Sequence, residues 1–304
     1  VDVSGALTGD SNIGLLIGRI LSSTTNVDSS STSGTVTAND QRAGGLIGGI
    51  ESTANISNSS SGASVQLLNS SNIAGGLIGR TENSTTVTNS FATGNVSGAA
   101  LLGGLIGYSK ATIQTSYSTG TITGTVNFNG GLVGVQRENP ITTSYSTGNV
   151  SSPGNYIGGF AGIIEASGSA NNSFATGSAS GTNNVGGFAG QVSSGSSVTY
   201  SYASGSPTGT SDIGGLVGNL VGTLTNSYYN SDSTSGADNT FGTGLTTTLL
   251  SQTSSFSGWD FTNTWAIQSG TFVSFPYLQS NIPDPIPGLQ NTVFAGGNGT
   301  VGDP

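Results

Sequence analysis

Gly103-Gly104-Leu105-Ile106-Gly107 decides the fold, because the same pentapeptide returns along most of the chain. It stands earlier as Gly44-Gly45-Leu46-Ile47-Gly48 and Gly75-Gly76-Leu77-Ile78-Gly79, and next as Gly130-Gly131-Leu132-Val133-Gly134. Gly158-Gly159-Phe160-Ala161-Gly162, Gly186-Gly187-Phe188-Ala189-Gly190 and Gly214-Gly215-Leu216-Val217-Gly218 complete the series. A degenerate first copy is Gly14-Leu15-Leu16-Ile17-Gly18. Successive starts lie 30, 31, 28, 27, 28, 28 and 28 residues apart. A fixed period in that range marks stacked repeats, each touching only its neighbours.

A second motif follows each pentapeptide: Asn89-Ser90-Phe91-Ala92-Thr93-Gly94, Thr115-Ser116-Tyr117-Ser118-Thr119-Gly120 and Thr143-Ser144-Tyr145-Ser146-Thr147-Gly148. Further copies centre on Phe174, Tyr202 and Tyr228. Ile113, Thr115, Tyr117 and Thr119 alternate with a strand period, and no segment carries a 3.6-residue pattern. The expectation is an all-β parallel β-helix (β-solenoid) of about eight 28-residue coils, with two or three short strands per coil. Coils stacked at about 4.8 Å give a rod body of roughly 40 Å. Propeller blades take ~40–45 residues, so the period disfavours them.

Stacking turns sequence offsets into columns. Phe91, Tyr117, Tyr145, Phe174, Tyr202 and Tyr228 are expected above one another, pointing inward because each has an apolar neighbour four residues earlier. Leu46, Leu77, Leu105, Leu132, Phe160, Phe188 and Leu216 form a core column. Where Leu gives way to Phe160 and Phe188, the next residue shrinks to Ala161 and Ala189, which conserves volume. The paired glycines are expected either to admit close backbone approach or to take positive φ at a corner. Three residues beyond each pentapeptide come Glu51, Glu82, Lys110, Arg137 and Glu165, so Glu82–Lys110 and Arg137–Glu165 are expected as pairs on a solvated edge.

Composition narrows the function. The 304 residues include 51 Gly and only 19 charged residues, and the net charge of −9 reflects scarce Lys and Arg, not an acidic run. Low complexity of this kind is commonly disordered, but charge too sparse to swell the chain and apolar residues at fixed offsets argue for order. Nucleic acid and anionic membranes need a basic patch that is missing, and no apolar stretch approaches ~20 residues. The chain opens at Val1 without Met or a signal peptide, as expected of a processed or excised piece. Absent Cys, Met and His suit oxidation-resistant exported material, extracellular or at the cell surface.

These repeats resemble the GLUG-motif family, named for a Gly-Leu-x-Gly core such as Gly45-Leu46-Ile47-Gly48. The likeness covers roughly residues 3–280, including the tail Gly258-Trp259-Asp260-Phe261, Trp265-Ala266-Ile267 and Phe275-Pro276-Tyr277-Leu278. It implies a scaffold module of a large bacterial surface or secreted, adhesin-like protein. Three regions are expected: a solenoid over 1–230, a capping region over 231–280, and a Pro-rich linker with an extended segment over 281–304. Both tryptophans fall in the second region, as a cap over an open last coil requires. Val3-Ser4-Gly5 matches Val96-Ser97-Gly98, so the chain seats its start inside a coil, and Phe294–Thr300 resembles the opening of a further unit.

Enzymatic chemistry is not expected. With no His and no Cys, the usual bases, nucleophiles and zinc ligands are missing. Asp232 and Asp238 share one polar loop, too few carboxylates for a dedicated Ca²⁺ site, and no glycine motif carries the trailing Lys-Ser/Thr of a phosphate loop. No catalytic, cofactor-binding or metal-binding residue is named, and no cofactor. The leading reading is an extracellular structural or adhesive module whose partners are further copies of itself, tandem units or a cell or host surface. The alternative is a subunit of a head-to-tail filament, in which the C-terminal segment covers the next copy's first coil. Carbohydrate binding ranks lower, because it needs tyrosines that face outward.

Overall fold

A computed structural model describes the chain apart from Ser23, Ser70, Ser71, Asn83, Ser84 and residues 235–238 and 292–304. Asp238 and the Phe294–Thr300 segment therefore lie outside the described residues. Up to Leu245 the described chain winds into a parallel β-solenoid of about eight coils, about 28 residues apart. One coil shows the plan: Asn72–Gly75, Ile78–Thr81, Thr85–Thr88, Phe91–Ala92 and Val96–Gly98 are five short strands in sequence. Each pairs in parallel with its counterpart on the coils above and below, giving three eight-stranded sheets and one sixteen-stranded sheet. Five strands per coil replace the two or three expected, since Gly and Asn turns cut the chain more often than apolar periodicity reveals.

Two corners per coil take left-handed φ without glycine. One column runs Asn58, Asn89, Thr115, Thr143, Asn172, Tyr200 and Asn226, with φ between 44 and 50°. Another includes Asn12, Gln41, Phe128, Tyr156, Asn184 and Asp212. Asn tolerates this region best, and the Thr and Tyr copies hold it because the stacked neighbours impose it. The pentapeptide glycines have none of the positive φ values; their task is close approach. A Cβ on Gly103 would lie 1.9 Å from the Ile106 carbonyl oxygen, and one on Gly104 would lie 2.0 Å from that of Gly131 and 2.8 Å from Ser118 Oγ. The second glycine of each pair thus meets a small inward residue across the interior: Ser61, Ala92, Ser118, Ser146, Ala175 or Ala203. This pinch separates two cores. Leu46, Leu77, Leu105, Leu132, Phe160, Phe188 and Leu216 belong to the larger one; Val36, Val65, Val96, Ile122 and Val150 fill the smaller. Phe160 and Phe188 stack at 4.4 Å with Ala161 and Ala189 beside them, so the volume exchange is realised.

Register is also fixed by a buried serine in every coil. Ser59, Ser90, Ser116, Ser144, Ser173, Ser201 and Ser227 each accept a hydrogen bond at Oγ from the backbone N–H of the equivalent serine one coil earlier. The same hydroxyls donate to the carbonyl two residues back, as Ser144 does to Thr142 at 2.8 Å. Both hydrogen-bonding roles are filled, as burial demands. At the N-terminal end, Asp2–Gly9 pairs with Ser31–Ala38 so that Leu7, not Val3, shares a column with Val36, Val65 and Val96. Gly5 and Gly34, at positive φ values of 147 and 120° that favour glycine, carry the strand through a corner there, and the longer strand shifts the match by four residues.

At the other end the small inward residue becomes Tyr229, whose ring lies 2.2 Å from a Cβ placed on Gly215. It packs against the larger core where the next coil would otherwise stand. Thr243–Leu245 then adds one more strand beside Tyr228–Asn230. The short helix Thr247–Leu250 begins at an N-cap, Thr246, whose hydroxyl accepts from the Leu249 N–H.

Candidate functional site: aromatic flank and charged edge

The aromatic column faces away from the interior, contrary to the expectation. Ile113 points into the larger core. The left-handed residue Thr115 then breaks the alternation, so that Ser118 points inward, donating to the Gly131 carbonyl at 2.5 Å, and Tyr117 points out. Phe91, Tyr117, Tyr145, Phe174 and Tyr202 stack with centroids 4.7, 4.8, 4.9 and 5.3 Å apart and planes within 12° of parallel. Coil spacing holds the rings parallel at about one strand separation, within the centroid range of stacked aromatic pairs.

A C-terminal strap covers that ladder. Phe256 and Trp259 meet Tyr228 at the last coil, and Trp259 Nε1 donates to the Asn226 carbonyl at 2.9 Å. The strap then runs back along the flank. Trp265, fully buried, donates from Nε1 to Asn172 Oδ1 at 3.1 Å; Tyr202 donates its hydroxyl to the Pro276 carbonyl at 2.7 Å. Asn281 Nδ2 reaches the Ser116 and Thr143 carbonyls at 3.5 and 3.4 Å. The Pro-rich run closes on the strap itself, with the Phe275 N–H donating to the Pro287 carbonyl and Phe272–Val273 pairing with Gln290–Asn291. Burial raises the Tyr202 phenol well above its ordinary value and pushes Tyr145 and Tyr117 up too. From Tyr117 to Tyr228 the outward rings of this column are therefore occupied by the chain itself.

The opposite kind of surface is the charged edge. All five cations of the chain and all four glutamates meet there. Lys110 lies 3.6 Å from Glu82 and 2.9 Å from Glu138, and Arg137 lies 3.3 Å from Glu165, so both expected pairs form. Glu51 holds Arg19 and Arg42, and Glu82 holds Arg80. Hydrogen bonds from Arg19 and then Arg42 keep the Glu51 carboxyl below the usual range; Glu138 holds the Lys110 ammonium above its own. Arg80 lies 4.7 Å over the Tyr108 ring, whose hydroxyl accepts from Arg137 at 3.1 Å. Among the described residues no group of three or more Asp and Glu is placed to hold a metal ion, and no helix is long and apolar enough to cross a membrane.

Residues 70–97 match the family model of the GLUG motif. This chain carries the GLUG motif. No curated protein and no solved structure matches it. The matched segment spans most of the third GLUG coil, from the strand of Asn72–Gly75 to Val96.

Among the features singled out in sequence, the GLUG pentapeptides and the second-motif aromatics are brought together as columns. Asp232 accepts from the Thr247 N–H at 2.8 Å, a structural contact at the start of the short helix. Sequence reasoning missed the serine ladder, Glu138 and the arginines Arg19, Arg42 and Arg80. The serine ladder had a visible signal, a Ser immediately before the aromatic in each GLUG coil from Ser90 to Ser227. Glu138 and the bridging Arg42 had none, because their pairing depends on corner geometry.

Proposed function

We propose that the chain is a structural or adhesive scaffold module of an extracellular surface or secreted protein, working by length and rigidity and not by catalysis. The observation that carries this reading is the continuous lock of the rod: the serine ladder from Ser30 to Ser227 runs through every coil, and the strap staples the later coils from outside. Such a body resists local opening, because each coil is hydrogen-bonded to two others. The absence of Cys, Met and His supports export to an oxidising setting. The test is limited proteolysis of the folded chain with cell-surface and self-association binding assays. A monomer that is rapidly degraded and binds no surface sinks the reading.

Head-to-tail assembly is the second reading. Asp2–Gly9 is paired on one side only among the described residues, Leu7 within it is exposed, and so is Leu21 just after Ile17–Ile20, the edge strand of its own sheet. Electron microscopy of native material decides: fibres with a regular axial repeat support assembly, and isolated rods at all concentrations exclude it.

A further inference from the structure

The charged edge holds an arrangement that the scaffold reading does not require. Arg19, Gly49 and Arg80 occupy one column on three successive coils. Gly49 leaves that middle place empty of side chain, and Arg42 fills it: a Cβ on Gly49 would lie 3.2 Å from Arg42 Cδ and 3.3 Å from its Nη1. Three guanidinium groups are thereby gathered on adjacent coils. Two carboxylates, Glu51 and Glu82, stand against them, and Glu82 is shared with Lys110. At the ion pairs three guanidinium groups face two carboxylates, on a chain whose net charge is −9, while Asp40 accepts from the N–H of the neighbouring Gln41.

The same place is concave. A cavity of about 240 Å³ is lined by Gln41, Arg42, Asn72, Ile73 and Arg80. That volume suits one sugar-sized molecule. Arg80, which lines it, has its Nε buried without a hydrogen-bond partner, and, next to the lining, Asn12 Oδ1, an unpartnered acceptor, shares the Gly49 gap with Arg42. Buried orphan groups of opposite kind are uncommon and call for a hydrogen-bonding occupant. Arginine forks match carboxylates, while the amides of Gln41 and Asn72 match hydroxyls.

We propose that this cavity binds an acidic monosaccharide unit, its carboxylate toward Arg42 and Arg80 and its hydroxyls toward Gln41 and Asn72. The site is independent of the scaffold reading, which stands whether or not the cavity is used. It also lies away from the strapped aromatic flank, so it does not need those rings.

Calorimetric titration of the whole chain with galacturonate, trigalacturonate, galactose and acetate is the test. Saturable binding of galacturonate is expected, with none for galactose; trigalacturonate binding more tightly than the monomer would place the natural unit within a polymer, and equal affinity would place it at a free or terminal sugar. Arg42→Gln and Arg80→Gln each weaken binding by roughly tenfold or more, the loss of one charge-assisted contact. Arg137→Gln, on the same edge but outside the cavity, leaves it unchanged. Should the arginine variants fail to fold, Gln41→Asn keeps the left-handed corner and every ion pair while shortening the amide, and several-fold weaker binding is expected from it. No uronate binding, binding indifferent to these cavity substitutions, or acetate bound as well as galacturonate overturns the proposal.

Discussion

The first three coils and the later five are built on the same interior but held from outside in different ways. In the later coils, the flank from Tyr117 to Tyr228 lies under the strap, with Trp265, Trp259, Phe256 and Phe275 buried against stacked rings. In the first coils the equivalent positions are Ser31 and Ser60, which pair directly with each other and with Phe91 and offer no ring for a strap to grip. Their outer support is ionic: Arg19, Arg42 and Arg80 with Glu51 and Glu82. One solenoid thus carries ion pairs along its edge from Arg19 to Glu165, and apolar burial under the strap is added only in the later coils. Apolar burial is worth more per contact than exposed ion pairs, which give ~0–1 kcal/mol each, so the two halves should differ in stability while sharing one register.

Trp265→Ala should cut deepest into that difference. Removing a fully buried Trp costs about 3–5 kcal/mol, and hydrogen exchange should report lost protection across Tyr145–Tyr202 with the first three coils unaltered. Uniform loss along the rod would show that the halves are one cooperative unit. Ser144→Ala and Ser59→Ala come next, at about 1–3 kcal/mol each, because each strands a buried backbone N–H. Equal thermal shifts for the two would confirm that the serine ladder is common to both halves.

Titration should separate the halves more gently. Tyr145 and Tyr202 have folded values raised by burial; their contribution is complete below the free tyrosine value, about 10, and falls as pH rises beyond it. The strapped half should therefore loosen first in alkali, seen as tyrosinate absorbance rising together with lost strap protection. Glu51 is the reverse case. Its folded value is depressed, so its contribution is present above the ordinary glutamate value and is lost as pH falls through the lower folded one. Acid should loosen the first coils before the strap, and Glu51→Gln should abolish that acid step by losing the same contribution already at neutral pH.

The interior was largely legible in the sequence. Fixed glycine spacing gave the coil, and the Leu132–Phe160 exchange, matched by Val133–Ala161, marked the packed column. Opposite charges three residues past the pentapeptide located Lys110 and Arg137 correctly. The outside was not legible, for a physical reason: a single left-handed residue such as Thr115 reverses which way every later side chain points. Alternation read across it put Tyr117 with Ile113, when a corner lies between them. Likewise the aromatic tail declared that something apolar needed covering. It did not say that the covering runs backward along the flank, since contacts such as Trp265 to Asn172 span 93 residues. The Arg42 bridge depended on the empty side-chain place at Gly49, which only stacking reveals.

The strap's reach sets an order of events during synthesis. Each coil can settle on the one already made, for its partners are about 28 residues behind it. The Asn281 contact to Ser116 joins residues 165 apart, and the Trp265 contact needs the coil of Asn172 already in place. Winding must therefore run ahead and fastening must follow, so until residue 281 has been made the nascent rod carries a stripe of uncovered rings.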